Sequence, residues 1–471
     1  MRTVRATTFL FFCLTVSLLF FVPPSYATIP ITGPQVPGME SYDRIIPDFM
    51  TKYKVPGGAV SVVKDGRLVF AHGYGYADNA TGSPVEPYSL FRIASLSKPI
   101  TAVAILKLVE EGRLRLDDKA FSILNIKPPN GKQVQDQRIL NVTIRELLEH
   151  SGGWDPDKTF DPMGEPFRIA TFLGVAYPPS REQIIQYMLM QPLQFDPGTK
   201  YAYSNFGYLI LGRVIEKVTG ESYENYAQTQ VLAPMGITDM QIGHTLLPSA
   251  APKEVHYYDY PGAGLARPVF PNITGSVPWP YGGFYLENMD SHGGWIASAV
   301  DIVRFAATVD GAKPPALLDS AMVRQMESRP PPPLWADSDY WYGLGWNVQE
   351  PLPGRFTWSH MGSLPGTMTI VVRAYDGLVW AALFNTRPSD YQAFTELDGI
   401  LWDARNAVTS WPTNDLFGQP IPEFSTGSTT LEIESPTYEG GAIIAASVAA
   451  AVVIASAATF IMLKRKRRLG S

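Results

Sequence analysis

Two long apolar stretches bracket the chain, and between them β-rich apolar runs and helical spacing take turns. Thr7 to Val22 carries no charge, follows Arg2 and Arg5, and leads to the small-residue triplet Ser25-Tyr26-Ala27. A positive start, a short apolar run and small residues after it predict a signal peptide over 1–27. At the far end Ala442 to Leu463 is again free of charge, and Lys464-Arg465-Lys466-Arg467-Arg468 follows at once. As a helix rising about 1.5 Å per residue, 442–463 would span roughly 33 Å, enough to cross a bilayer. The basic tail 464–471 then stays cytoplasmic by the positive-inside rule, and the body before it faces outward. Residues 28–40 are Pro-rich and read as extended. Residues 412–441, rich in Pro, Gly, Ser and Thr, read as a stalk. The body proper is 41–411.

Within the body, Ala59 to Lys64 and Arg67 to Tyr74 are β-rich runs joined by Asp65-Gly66, a two-residue hairpin signal. Ile100, Val103, Ala104 and Leu108 fall at helical spacing. Ser95 or Ser97 opens that helix, Pro99 sits where a missing N–H costs least, and Gly112 stops it. Segments 140–150, 182–192 and 205–219 read as helices. Trp346-Asn347-Val348, Met368 to Ala374 and Val379 to Asn385 read as strands. Strands at both ends with helices between predict an α+β body carrying a helical insertion.

Composition supports a globular body, with 45% hydrophobic and 17% charged residues. Once Arg2, Arg5 and the five tail residues are set aside, 31 basic residues face 44 acidic ones, a balance of −13. Such a surface argues against nucleic acid as a partner. Cys13 is the single cysteine and lies in the expected leader, so the mature body has neither disulfide nor thiolate chemistry. Three N-x-S/T sequons begin at Asn79, Asn141 and Asn272. No H-E-x-x-H or paired-histidine spacing supports a metal, nothing calls for a cofactor, and no G-x-S-x-G elbow is present.

Three short segments carry chemistry. Ser95-Leu96-Ser97-Lys98 places a hydroxyl and an amine three residues apart at the mouth of a helix, on one face. A serine hydroxyl needs a base before it attacks, and a lysine serves only when burial or nearby charge keeps its amine neutral. Tyr203-Ser204-Asn205 offers a phenol that can shuttle a proton and an amide that can orient the lysine and bind a substrate carbonyl. His360-Met361-Gly362-Ser363 stands just ahead of a predicted strand. It offers a histidine near the tyrosine, a glycine that lets a ligand approach, and the Ser363 N–H as an oxyanion donor. Singly, each segment also fits a plain structural role. His150 reads as a residue at a helix end, and His292-Gly293-Gly294-Trp295 as a turn near the site. His72, His244 and His256 are isolated.

In the order S-x-x-K, Y-x-N, H-x-G, the chain resembles the serine β-lactamase and penicillin-binding-protein superfamily. Within it, the chain is similar to the branch of class C β-lactamases, D-alanyl-D-alanine carboxypeptidases and esterases. Phe91-Arg92-Ile93-Ala94, Leu147 to Gly153, Pro197-Gly198-Thr199 and Tyr342 to Trp346 extend the likeness over about 41–405. The resemblance implies an antiparallel sheet flanked by helices, an all-helical subdomain, and a site between the two. It implies that Ser95 is acylated, that Lys98 is its base or orients it, that Tyr203 shuttles protons and activates the deacylating water, and that Asn205 binds the substrate amide. His360 stands where the Lys-Thr-Gly lysine of β-lactamases and most transpeptidases holds a carboxylate. The expected activity is therefore an esterase, a D-aminoacyl peptidase or carboxypeptidase, or a weak β-lactamase, acting on a small molecule or peptide. The alternative is an extracellular binding or scaffolding protein on the same fold.

Overall fold

The computed structural model describes residues 29–418. The expected leader (1–27) and membrane span (442–463) lie outside them. Among the described residues no helix is long and apolar enough to cross a membrane.

The β-rich runs become strands of one sheet. In chain order the strands are β1 (Ile31–Thr32), β2 (Gly57–Lys64), β3 (Arg67–Asp78), β4 (Ser83–Pro84), β5 (Phe91–Arg92), β6 (Gln241–Ile242), β7 (Trp295–Ala297), β8 (Tyr340–Tyr342), β9 (Asn347–Leu352), β10 (Arg355–Leu364), β11 (Thr367–Arg373) and β12 (Val379–Phe384). A nine-stranded sheet runs β1-β3-β2-β12-β11-β10-β9-β8 with β4 on β3, every pair antiparallel. A three-stranded sheet, β5-β7-β6, lies beside it. The Asp65-Gly66 turn works as expected, because both residues take positive φ (52° and 73°), the backbone a tight right-twisted hairpin demands.

The helices are α1 (Glu40–Tyr53), α2 (Ser97–Glu110), α3 (Ala120–Leu124), α4 (Ile144–Leu148), α5 (Pro166–Leu173), α6 (Arg181–Met188), α7 (Asn205–Thr219), α8 (Tyr223–Tyr226), α9 (Ala299–Thr308), α10 (Ser320–Glu327) and α11 (Gln392–Ala407). Each central strand alternates between two cores. Val60 and Val62, Ile370 and Val372, and Trp380 and Ala382 pack under α1 and α11. Ala59 and Val63, Val371, and Ala381 and Leu383 face the layer holding α2, α7 and α9. Burial on both faces explains why these strands read as nearly unbroken apolar runs. Helix α2 is buried on almost every side, from Ser97 to Leu106, so its apolar positions exceed one stripe.

Some boundaries differ from expectation. The helix expected over 140–150 is shorter. A 3-10 turn ends at Asn141, and α4 starts only after Thr143, whose hydroxyl and Glu146 form a capping box. The expected 182–192 helix ends at Met188. His360 to Ser363 stand just ahead of β11, as expected, and themselves lie inside β10, a strand the sequence reading did not mark. Residues 412–418, read as the start of the stalk, hold to the body: Leu416 N–H donates to Leu68 O, and the Asp415 carboxylate accepts from Leu68 N–H. Within the expected extended leader-in, Ile31–Thr32 pairs with β3.

Candidate active site

The nucleophile segment leaves β5 and enters α2 through a 3-10 turn, Ala94–Leu96. Ala94 has φ of +49°, a left-handed conformation that costs a residue with a Cβ about 1–2 kcal/mol. Neighbours hold it there. Ser97 Oγ donates to Ala94 O at 2.7 Å, and Thr369 Oγ1 on β11 donates to Ile93 O at 3.0 Å. Gly362 on β10 lies against the same turn. A Cβ there would fall 2.4 Å from Ile93 O and 2.2 Å from Thr369 Oγ1, so only glycine lets β10 approach this closely.

Three distant segments meet at one amine. Lys98 Nζ lies 3.1 Å from Ser95 Oγ, 2.7 Å from Asn205 Oδ1 and 2.9 Å from His292 O. The Asn205 oxygen and the His292 carbonyl can only accept, whereas the serine hydroxyl can also donate. A neutral amine has two N–H groups for the two acceptors and one lone pair for the hydroxyl. Burial pushes the Lys98 amine well below its usual range, against the opposing charge of Asp161. Geometry and electrostatics thus agree on a neutral amine facing the Ser95 hydroxyl.

Tyr203 and Asn205 flank the start of α7 because Ser204 is its N-cap, its hydroxyl accepting from Gly207 N–H at 3.2 Å. The Lys98 amine sits 4.6 Å from the centre of the Tyr203 ring. The Tyr203 hydroxyl is near enough to Ser95 for that side chain to favour its ionised form, yet no aligned hydrogen bond joins them. Burial dominates and holds the phenol well above its usual range. Behind it, His150 adopts φ of +57° just past α4 and accepts from Ser204 N–H through Nδ1 at 3.1 Å. Its ring lies 4.3 Å from that of Tyr203 and 4.5 Å from that of Tyr342. The residue read as a helix end therefore also supports the Tyr203 segment.

His360 is set one layer back. Its Nε2 pairs with the Tyr342 hydroxyl at 3.0 Å, its Nδ1 with Met361 O at 2.8 Å, and its ring centre is 6.5 Å from that of Tyr203. Burial lowers it to about 3, so the imidazole is neutral and brings no cation to a carboxylate. The cleft, about 290 Å3, is lined by Ser95, Tyr203, Asn205 and Ser363 but by neither His360 nor Gly362. Those two were expected to touch substrate. In this structure they brace the tyrosine layer and the nucleophile turn.

The cleft also takes in residues that spacing did not reveal. Asp161 accepts from Asn205 Nδ2 at 2.5 Å and from Met163 N–H at 3.0 Å. It fixes which way the Asn205 amide points. Trp279, Phe284 and Met289 supply an apolar wall, and Asp259 and Arg387 a second pair of charges. His292 lines the cleft while its carbonyl holds Lys98. The segment around it is laid along α2, with Thr101 Oγ1 donating to Ser291 O at 2.6 Å and Ser97 Oγ accepting from Trp295 N–H at 3.3 Å.

Comparison with known proteins adds to this geometry. The family model described as Beta-lactamase matches residues 42–399. A penicillin-binding protein of Bacillus subtilis (strain 168) is 28% identical over 391 residues, covering 81% of this chain and 77% of that one. The octameric penicillin-binding protein homologue from Pyrococcus abyssi superposes with a TM-score of 0.57 at 26% identity, covering 77% of each chain. The D-amino acid amidase from Ochrobactrum anthropi SV3 shares the fold, with a TM-score of 0.60 at 21% identity over 79% of this chain and 99% of its own.

Proposed function

The chain belongs to the beta-lactamase family of serine hydrolases, and from that premise we propose that it is an exported, membrane-anchored enzyme that cleaves an ester or amide through an acyl-enzyme on Ser95. The observation that carries this reading is the set of partners around Lys98 Nζ, two acceptors and the Ser95 hydroxyl at 3.1 Å. Neutral Lys98 takes the Ser95 proton as Oγ closes on the carbonyl carbon. The backbone N–H groups of Ser95 and Ser363 receive the carbonyl oxygen as it becomes an anion. The intermediate collapses, the bond to the leaving group breaks, and that group takes a proton relayed from Lys98 by Tyr203. A water then gives its proton to the same pair, attacks the acyl carbon, and frees the acid and Ser95. Asn205 holds the lysine through its oxygen and has an N–H left for the substrate.

Lys98 rather than Tyr203 is the resting base on this reading, because burial makes the amine easier to deprotonate and the phenol harder. His360, neutral and set back, is consistent with an esterase or peptidase that makes little use of a substrate carboxylate at that position. A fluorophosphonate should label the full chain at Ser95 and release a chromophore from p-nitrophenyl butyrate. Ser95→Ala should do neither, and labelling of the variant at wild-type rate would remove Ser95 from the mechanism. Export and anchoring rest on the apolar runs at 7–22 and 442–463. Exposure of Asn79, Asn141 and Asn272 fits passage through a glycosylating compartment.

A further inference from the structure

The two acceptors that steer the Lys98 amine stand on different kinds of backbone. Asn205 opens a regular helix, α7. The His292 carbonyl belongs to an irregular segment, with the 3-10 turn Leu286–Met289 before it and β7 after it. Such a segment keeps its place only through contacts with its neighbours.

The strongest of those contacts leads back to α7. About two turns beyond Asn205 on that helix, Arg213 Nη2 donates to Asp290 Oδ2 at 2.6 Å. Both side chains are buried, 9% and 3% exposed. Arg181, which opens α6, sets its Nε 3.3 Å from the same oxygen and donates through Nη2 to Glu287 O at 2.7 Å. Asp290 Oδ1 accepts from Ser291 N–H at 2.7 Å. One carboxylate thus ties two helices to the backbone beside His292. Gly212, next to Arg213, lets the segment lie this close. A Cβ there would fall 2.5 Å from Ser291 Oγ. Neither Arg213 nor Asp290 lines the cleft. A buried ion pair adds little net stability, because desolvation offsets the attraction, so energy alone does not account for this one.

We propose that Asp290 and Arg213 are positioning residues for the base: their ion pair sets where the His292 carbonyl stands and so aims the Lys98 lone pair at Ser95. This deepens the serine-hydrolase reading and rests on Lys98 as its base. With Asn205 and Arg213 on one helix, both acceptors of the amine are referenced to the same rod. In Asp290→Asn one side-chain oxygen becomes an NH2 donor. It either meets the Arg213 donor or abandons Ser291 N–H, and the clamp opens in both cases.

The test follows fluorophosphonate labelling of Ser95 on the full chain in detergent, beside kcat and KM for p-nitrophenyl butyrate. Asp290→Asn should slow labelling and lower kcat by about 10–100-fold, the range for a lost supporting contact. KM should stay within about threefold of wild type. The decisive comparison is made in Lys98→Ala, whose slow labelling is read over hours. With no amine to aim, adding Asp290→Asn should change that rate by less than about twofold. A residue that only supports the fold would slow both backgrounds alike. Arg213→Lys keeps a buried cation but cannot span Asp290 and Glu216 together. It should slow labelling by about three- to tenfold when Lys98 is present and not when it is absent, and it decides the matter if Asp290→Asn does not fold. Labelling of these variants at wild-type rate, or an equal loss in both backgrounds, overturns the proposal while Ser95-dependent turnover keeps the reading of function. Lys98→Ala labelling as fast as wild type removes the base and the clamp together. A wild-type chain that does not label at Ser95 removes the whole reading.

Discussion

Lys98 is where the proton economy of the site is set, since its three neighbours admit a neutral amine and burial favours one. Lys98→Ala should lower kcat by about 10²–10⁴-fold, the span for loss of a positioned base. Lys98→Arg should not rescue it, because a guanidinium stays protonated. Activity should fall as pH drops through the folded pKa of Lys98, which lies below the ordinary lysine range, since the protonated form cannot accept the serine proton. A kcat/KM profile whose acid limb is unchanged in a variant with measurable residual turnover would assign that limb elsewhere. At this scale much was legible in the sequence. A hydroxyl, an amine, a phenol and an amide are residue types the chemistry requires, and their order along the chain marks them. Asp161, Asp259 and Arg387 left no such trace. They come from irregular segments whose meeting depends on the path of the chain, and no local spacing encodes it. His360 was placed correctly in the chain but not in depth, because Tyr342, which draws it inward, lies on another strand.

Strand β10 and helix α4 each make a prediction of their own. Gly362→Ala would drive a methyl into Ile93 O and Thr369 Oγ1. It should cost about 1–3 kcal/mol, as overpacking does, and lower kcat/KM further than the melting temperature implies, because the clash moves the nucleophile turn. Equal activity at equal stability would show that β10 does not set the position of Ser95. Past the end of α4, Glu149 is 3% exposed, and among the described residues its ion-pair partner is Arg145, 3.4 Å away. Burial raises its carboxyl to about 7. The folded state therefore holds a proton that the unfolded state has already released above pH 4.5. Its contribution is fully present below that pH and is lost as pH rises through about 7, with a slope of at most about 1.4 kcal/mol per pH unit. Thermal melts from pH 5 to 8 should show wild type losing stability relative to Glu149→Gln. Helix α7 was readable to the residue because Ser204 caps it and Gly220 ends it. The helix around 140–150 was overextended because Leu140 suits helical spacing, whereas the capping box at Thr143 decides the start.

For the whole molecule, the α+β layering followed from strands at both ends of the body with helices between them. What the strands alone did not disclose is that helices cover both faces of the sheet. Their continuous apolar character is the sign of it, clear once Val60 and Val371 are seen to belong to opposite cores. The proposed anchor adds an expectation at this scale. The full chain should sediment with membranes and withstand an alkaline carbonate wash, whereas a chain ending at residue 441 should be recovered in the soluble exported fraction. Recovery of both in the same fraction would refute the anchor.

The reacting groups do not share one scaffold. The hydroxyl and amine ride on the start of α2, the phenol and amide on the start of α7, and the backing for the nucleophile comes from β10 and β11 across the layer boundary. The machinery works like a vice whose jaws belong to separate castings. Tolerance in the fit between sheet and helices becomes tolerance in the reaction itself. Any contact far from the cleft that slides one layer over the other acts as a throttle on turnover.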